Sequence, residues 1–159
     1  MQASARGTAT FEVAPASLTD LFAIQRQQRA CFGRDGYDFL TLLGMALTIG
    51  QVRLKAMANG QLVGYLAAER LREQHCGWII TVGVLPSHTG RGIGTALMLA
   101  AEQRLRQTSV KLTVRSGNQR AIDMYERIGY RWRSTHQRYY RDGEDGLVME
   151  KAAAVNGAP

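Results

Sequence analysis

Residues 82–97, VGVLPSHTGRGIGTAL, decide the fold of this chain. An apolar run ends in a proline, three glycines alternate at Gly90, Gly92 and Gly94, and a helix-forming stretch, TALMLAAEQRLRQ, follows from Thr95. Glycines let the backbone approach a ligand closely, and the first N–H groups of a helix have no partner within the helix. A strand, a glycine loop and a helix start in this order therefore predict an anion-binding site.

The chain has 159 residues, of which 45% are hydrophobic and 21% charged, which is typical of one globular domain. We expect a single domain over residues 9–151, with a disordered N-terminus at 1–8 and a flexible tail at 152–159. No stretch approaches the roughly 18 apolar residues of a membrane helix, and the first residues lack the apolar core of a secretory signal. The prediction is a cytoplasmic protein.

The formal net charge is +7, and only three of the twenty basic residues are lysines. An arginine-rich surface attracts anions, but no zinc-finger or aromatic RNA-binding motif supports a nucleic-acid partner beyond this charge. Cys31 and Cys76 show no metal or redox spacing, so we expect two buried free thiols and no metal. The charge alone is compatible with phosphate groups, acidic peptides or RNA as partners. The protein is expected to be a monomer or a dimer.

Periodicity predicts an α/β fold in which a mixed sheet of about seven strands carries helices on both faces. Helices are expected from Ser17 to about Cys31, over 37–47, after the glycine loop, and over 118–130. Strands are expected over 10–15, 51–58, 61–71, 76–84, 109–115, 131–140 and 146–151, with Asn59-Gly60 as a hairpin turn.

Two common phosphate motifs do not match the glycine loop. A P-loop requires a Gly-Lys pair, which this chain lacks, and the dinucleotide fingerprint requires Gly or Ala where Thr95 or Leu97 stands. Nucleotide hydrolysis and hydride transfer therefore lose support.

The loop GRGIG, preceded by V-x-V-x-P, resembles the GNAT superfamily of acetyl-CoA-dependent N-acetyltransferases. A second matching element, N-x-x-A-x-x-x-Y-E-x-x-G-[FY], runs from Asn118 to Tyr130. The final segment, YYRDGEDGLVMEK, is most similar to ribosomal-protein alanine N-acetyltransferases and related protein N-terminal acetyltransferases. The resemblance covers about Thr10 to Lys151. It implies a mostly antiparallel sheet that is splayed between two central strands.

The resemblance also implies a site for acetyl-CoA, used as a co-substrate without a metal. The Val84 N–H would face the thioester carbonyl as an oxyanion donor, Asn118 would bind the pantetheine arm, and Tyr125 would protonate the departing thiolate. Tyr139 and Tyr140 would bind the acceptor; the alternative is that they simply alternate across a strand, one in the core and one exposed. The implied coenzyme-binding residues are Val82, Gly83, Val84, Gly90, Arg91, Gly92, Ile93, Gly94, Thr95 and Asn118.

Three positions depart from the family pattern. Thr89 stands where an Arg or Gln usually contacts phosphate, and Arg91 is the candidate to compensate. Thr113 and Trp78 occupy the two positions that usually carry a glutamate base. Three other residues, His75, His136 and Glu69, are open candidates to act through water.

A site without a strong base favours a weakly basic acceptor. An α-amine with a pKa of about 7.7–8.0 is partly neutral at neutral pH, whereas deprotonating a lysine side chain of pKa about 10.4 costs roughly 4 kcal/mol. The favoured function is acetyl transfer to a protein N-terminal amine by direct attack. The alternatives are a small-molecule amine acetyltransferase and a non-catalytic CoA-binding or RNA-associated module.

Overall fold

A computed structural model describes residues 10–152 of the chain. Seven strands and four α-helices form this part of it. In chain order they are β1 (Glu12–Pro15), α1 (Leu21–Phe32), α2 (Phe39–Leu47), β2 (Val52–Ala58), β3 (Gln61–Leu71), β4 (Cys76–Val84), α3 (Ile93–Leu105), β5 (Ser109–Arg115), α4 (Gln119–Arg127), β6 (Arg131–His136) and β7 (Gly146–Ala152).

The strands form one sheet in the order β1-β2-β3-β4-β5-β7-β6. Every neighbouring pair is antiparallel except β4 and β5, which run parallel. Only three residue pairs join β4 to β5, and the last of them is Trp78 with Lys111. Beyond this pair the two strands separate, so the sheet opens at its centre, as the sequence resemblance predicts.

Helices cover both faces of the sheet. Successive side chains of a strand point to opposite faces, and both faces of the central strands carry apolar side chains that need a cover. On β3, Leu66 and Ala68 face a core that α3 and α4 complete with Ile93, Leu97 and neighbouring residues. Tyr65 and Ala67 face the opposite core, which α1 and α2 complete. The predicted α/β architecture with helices on both faces is confirmed.

Local sequence signals set several element boundaries. The Asp20 carboxylate accepts the Ser17 backbone N–H at 2.7 Å, which begins a short 3₁₀ turn leading into α1. The Asn118 side chain accepts the Ala121 N–H at 3.2 Å and caps α4. The predicted hairpin turn forms with Asn59 and Gly60 both at positive φ.

The structure corrects two predictions. The strand expected over 131–140 ends at His136, and residues 137–145 form a turn instead, because Arg138 adopts positive φ and its N–H bonds to the Asp145 side chain at 2.9 Å. Cys76 is buried as expected, but Cys31 is only half-buried and lies in a cleft. The N-terminus predicted to be disordered, residues 1–8, and residues 153–159 of the predicted tail lie outside the described residues. Ala152, the first residue assigned to that tail, belongs to β7.

Candidate active site

The opening in the sheet leads into two adjoining cavities. The larger cavity, of about 630 Å³, lies between the end of β4, the glycine loop and α4. The smaller cavity, of about 420 Å³, lies between β4, β5 and the end of α1. Six residues line both: Cys31, Phe32, Val82, Asn118, Ala121 and Tyr125. The two cavities therefore meet where the strands separate.

The glycine loop presents unpaired backbone donors to the larger cavity. Gly92 caps α3 in the left-handed conformation, with φ of 81°, which favours glycine. Within residues 10–152, the N–H groups of Gly92, Ile93, Gly94 and Thr95 donate no hydrogen bond. Four free donors at the positive end of a helix dipole have the geometry that suits an anion.

The end of β4 presents a strand edge to the same cavity. The Leu85 N–H donates to the Val63 carbonyl at 2.8 Å, so this pair is hydrogen-bonded across β3 and β4. Hydrogen-bonded and non-bonded pairs alternate in an antiparallel ladder. The N–H and C=O groups of Val82 and Val84, which lie opposite Leu66 and Gly64, therefore point away from β3 and into the opening.

Gly83 and Gly94 allow close packing around this edge. A Cβ on Gly83 would lie 2.9 Å from the Gln27 Nε2 and from the Phe32 ring, so glycine lets α1 pack onto β4. A Cβ on Gly94 would lie 2.9 Å from the Met124 sulfur, so glycine lets α3 and α4 approach each other. Both positions therefore shape the larger cavity.

The larger cavity is cationic. Its lining includes Arg120 and Arg127 and contains no aspartate or glutamate. Unpaired backbone donors and cationic side chains together suit a ligand with several phosphate groups. The residues present therefore fit the coenzyme that the sequence resemblance implies.

Tyr125 lies in the wall between the two cavities. Its side chain is buried, with 6% of the residue exposed, and its ring packs edge-on against Tyr130 at 5.9 Å between centroids. Burial, together with the nearby Tyr140, raises the pKa of the Tyr125 hydroxyl well above its ordinary value. The hydroxyl therefore stays protonated at neutral pH and is available as a proton donor.

A chain of polar side chains on α1 reaches β4. The Gln28 amide donates to the Gln27 Oε1 at 3.0 Å, the Gln27 amide donates to the Cys31 sulfur at 3.2 Å, and the Cys31 thiol donates to the Val84 carbonyl at 3.2 Å. Burial raises the pKa of the Cys31 thiol to about 11, against the lowering effect of the Gln27 hydrogen bond. The protonated thiol thus fixes α1 to the cavity-facing carbonyl of β4.

An arginine joins three segments at the rim of the smaller cavity. Arg115, at the end of β5, forms ion pairs with Asp35 after α1 and with Asp142 and Glu144 in the β6–β7 turn. Its guanidinium lies 4.0 Å from the centre of the Tyr140 ring. The hydrogen bond with Glu144 is the largest of the effects that raise the Arg115 pKa. This network holds Tyr140 against the cavity.

Most of the predicted site residues come together at the opening. Ten of them line the larger cavity: Val82, Gly83, Val84, Gly90, Gly92, Ile93, Gly94, Thr95, Asn118 and Tyr125. Arg91 does not, because its side chain is directed to the Ser87 carbonyl at 3.3 Å. Tyr140 lines the smaller cavity, whereas Tyr139 is 52% exposed and packs edge-on against Tyr140. The binding roles of all these residues stay predictions.

The proposed substitutes for the missing base lie elsewhere. Neither His75, His136 nor Glu69 lines either cavity. Thr113 lines the smaller cavity, and its buried hydroxyl has no hydrogen-bond partner among the described residues. Asp35 is the one carboxylate in the lining of that cavity, and it is paired with Arg115.

Sequence reasoning missed the contributions of α1 and of Arg115. Gln27 and Gln28 are polar residues on the inner face of α1, beside the buried Leu21 and Ile24, and they are almost fully buried. A buried polar pair of this kind requires partners, which is a signal that periodicity alone does not identify.

Comparisons with known proteins agree with this geometry. Residues 21–130 match the model of the acetyltransferase (GNAT) family. The catalytic subunit NAA10 of the N-terminal acetyltransferase A complex of Arabidopsis thaliana is 34% identical over 144 residues, which cover 86% of this chain and 74% of that protein. The chain belongs to the GNAT family of acetyltransferases.

Two solved structures share the fold. The ribosomal-protein-S18-alanine N-acetyltransferase of Escherichia coli superposes with a TM-score of 0.81 at 20% identity, covering 94% of this chain and 100% of that one. Arabidopsis thaliana NAA60 in complex with acetyl-CoA superposes with a TM-score of 0.78 at 20% identity, covering 93% of this chain and 100% of that one.

The chain is thus an acyltransferase that uses acetyl-CoA as co-substrate to acetylate an amine, as the sequence predicts. This finding decides against the non-catalytic module. No helix among the described residues is long and apolar enough to span a membrane. Residues 10–152 also contain no group of three or more His, Cys, Asp or Glu side chains placed to hold a metal ion.

Proposed function

We propose that this protein acetylates the N-terminal α-amine of a protein or peptide. The observation that carries the proposal is the meeting of the two cavities at Tyr125. The larger cavity suits a coenzyme with phosphate groups, which leaves the smaller cavity for the acceptor. The relative NAA10 is named as the catalytic subunit of an N-terminal acetyltransferase, which supports this class of acceptor.

The lining of the smaller cavity favours a weakly basic amine. Its one carboxylate, Asp35, is engaged by Arg115, and the position that carries a glutamate in similar enzymes holds Thr113. An α-amine with a pKa of about 7.7–8.0 needs no strong base, since finding its neutral form at neutral pH costs roughly 1 kcal/mol or less. A lysine side chain would need roughly 4 kcal/mol for the same step.

In this proposal the residues of the chain have four tasks. The free N–H groups of the glycine loop bind phosphate oxygens, and the outward-facing groups of Val82 and Val84 hold the pantetheine arm as an additional strand would. The Val84 N–H faces the carbonyl oxygen on which charge develops. Tyr125 donates its proton to the departing thiolate as the amine attacks.

The test is incubation with acetyl-CoA and peptides of one sequence in two forms, with a free and with a blocked N-terminus, each containing an internal lysine. Mass spectrometry after fragmentation locates the acetyl group. We expect acetylation at the free N-terminus and none on the blocked peptide. Acetylation of the lysine in both peptides, or turnover only with small amines, would refute the proposed acceptor.

A further inference from the structure

Arg120 is placed to act on the ligand of the glycine loop, although it belongs to a different element. It lies in the first turn of α4, two residues after the capping residue Asn118. One of its guanidinium nitrogens is 3.2 Å from the position that a Cβ on Gly90 would occupy. The guanidinium therefore rests against the loop and lines the larger cavity.

The Arg120 side chain has no partner within the described part of the protein. It forms no ion pair and no side-chain hydrogen bond there, and no carboxylate lines the cavity that it faces. Arg127, two turns further along α4, lines the same cavity. Two arginines on one stripe of a helix, facing free N–H groups, leave a concentration of positive charge that an anionic ligand would neutralise.

The loop itself supplies no such cation. Thr89 stands where similar enzymes place an Arg or Gln, and its hydroxyl donates to the Pro86 carbonyl at 3.0 Å. Arg91, the candidate that the sequence offers to compensate, is directed to the Ser87 carbonyl instead. Of these three positions, only Arg120 places a charged side chain at the cavity.

We propose that Arg120 binds the diphosphate of the coenzyme and replaces, from α4, the side-chain contact that the loop lacks at Thr89. The proposal rests on the proposed function only through coenzyme binding and is independent of the acceptor. It makes Arg120 a determinant of coenzyme affinity, whereas Tyr125 acts on the rate.

Calorimetric binding of CoA and of 3′-dephospho-CoA to the protein and to its R120Q variant tests this proposal. A charge-assisted contact with the diphosphate predicts a roughly 10-fold or greater loss of affinity for both ligands. R104Q is the matched control, because Arg104 is exposed in the last turn of α3, outside both cavities. We expect R104Q to bind both ligands as the unaltered protein does.

A second measurement uses S-acetylpantetheine, a substrate without phosphate groups. The kcat/KM for this substrate should be the same in R120Q and in the unaltered protein, because the proposed contact does not exist in either. An unchanged affinity of R120Q for CoA overturns the proposal. A loss confined to CoA also overturns it, since the contact would then be with the 3′-phosphate. Failure of the unaltered protein to bind CoA would instead refute the proposed function.

Discussion

Replacing Tyr125 with phenylalanine removes a single oxygen from the wall between the two cavities. No described residue is hydrogen-bonded to the Tyr125 hydroxyl, so the substitution leaves no buried partner unsatisfied. We therefore expect the free energy of unfolding to change by no more than about 0.5 kcal/mol. The coenzyme affinity should also be retained, because the role proposed for the hydroxyl is to protonate the leaving thiolate.

The expected loss of rate follows from the proton donor. General acid catalysis contributes about 10²–10⁴-fold. Burial raises the pKa of Tyr125 above its ordinary value of 10.0, whereas a thiol has a pKa of about 8.5, so the transfer is uphill. A proton donor with a pKa above that of the acceptor should contribute a rate enhancement at the lower end of that range. We expect kcat to fall about 100-fold, which corresponds to about 2.7 kcal/mol.

Tyr130 provides a matched control with the same chemical change. Its hydroxyl donates to the Glu102 carboxylate at 2.9 Å, and it lines neither cavity. Phenylalanine at this position should cost about 1.5 kcal/mol of stability, at the lower end of the range for a charged partner, because Lys151 still pairs with Glu102. This loss lowers the melting temperature by about 3–6 °C and leaves kcat unchanged.

Steady-state thiol release, calorimetric binding of CoA and thermal unfolding measure the three quantities on both variants. The two variants should behave in opposite ways: Y125F loses rate without losing stability, and Y130F loses stability without losing rate. A Y125F variant with undiminished kcat, or an equal rate loss in the two variants, would refute the assignment of the proton donor.

Three further predictions concern packing, pH and thiol chemistry. Gly83→Ala should destabilise the fold by about 1–3 kcal/mol, because the new Cβ would lie 2.9 Å from the Phe32 ring. Gly44→Ala, where a Cβ would have no atom within 4 Å, should stabilise α2 by about 0.5–1 kcal/mol. Chemical denaturation measures both free energies of unfolding, and equal effects would contradict the packing argument. Although burial acts in the opposite direction, the hydrogen bonds from Lys55 and Ser17 lower the pKa of Asp20 below its ordinary 3.8. The ionised Asp20 therefore contributes stability above pH 3.8, and this contribution is lost as the pH falls through the lowered pKa. Asp20→Asn should destabilise the protein by about 1 kcal/mol at neutral pH and not in strong acid. A difference in stability that persists in acid would show that the charge of the carboxylate is not its cause. The pKa of the Cys31 thiol, raised from 9.0 to about 11, leaves about 100-fold less thiolate at neutral pH. Alkylation followed by peptide mass spectrometry should show that Cys31 reacts about 100-fold more slowly than a free thiol, and more slowly still with CoA bound. Fast labelling would refute the conclusion that the Cys31 thiol stays protonated and donates to the Val84 carbonyl.

Short-range patterns predicted the fold well. The glycine loop, the helix that follows it and the cap at Asn118 are local features, in which a residue type determines the backbone within a few positions. The strand predicted through Tyr139 and Tyr140 was wrong, because aromatic residues favour strands while Arg138 turns the chain at positive φ.

The missed parts of the site depend on contacts between distant residues. Cys31 reaches Val84 across 53 positions of sequence, and Arg115 reaches Asp35 across 80. Neither spacing leaves a periodic signal. In the sequence, a half-buried cysteine on a helix cannot be distinguished from an ordinary core residue. A single sequence therefore predicts the glycine loop more readily than the walls of the smaller cavity.

The separation of β4 from β5 after three residue pairs has a consequence for backbone dynamics. The amides of Val82 and Val84 face an opening, whereas Gly83 between them faces β3. In the free protein, amide hydrogen exchange should thus alternate between fast and slow along three consecutive residues. If the pantetheine arm of the coenzyme completes the ladder, it should slow amide exchange at Val82 and Val84 and leave exchange at Gly83 unaltered. Amide exchange would then report coenzyme binding without any chemical turnover.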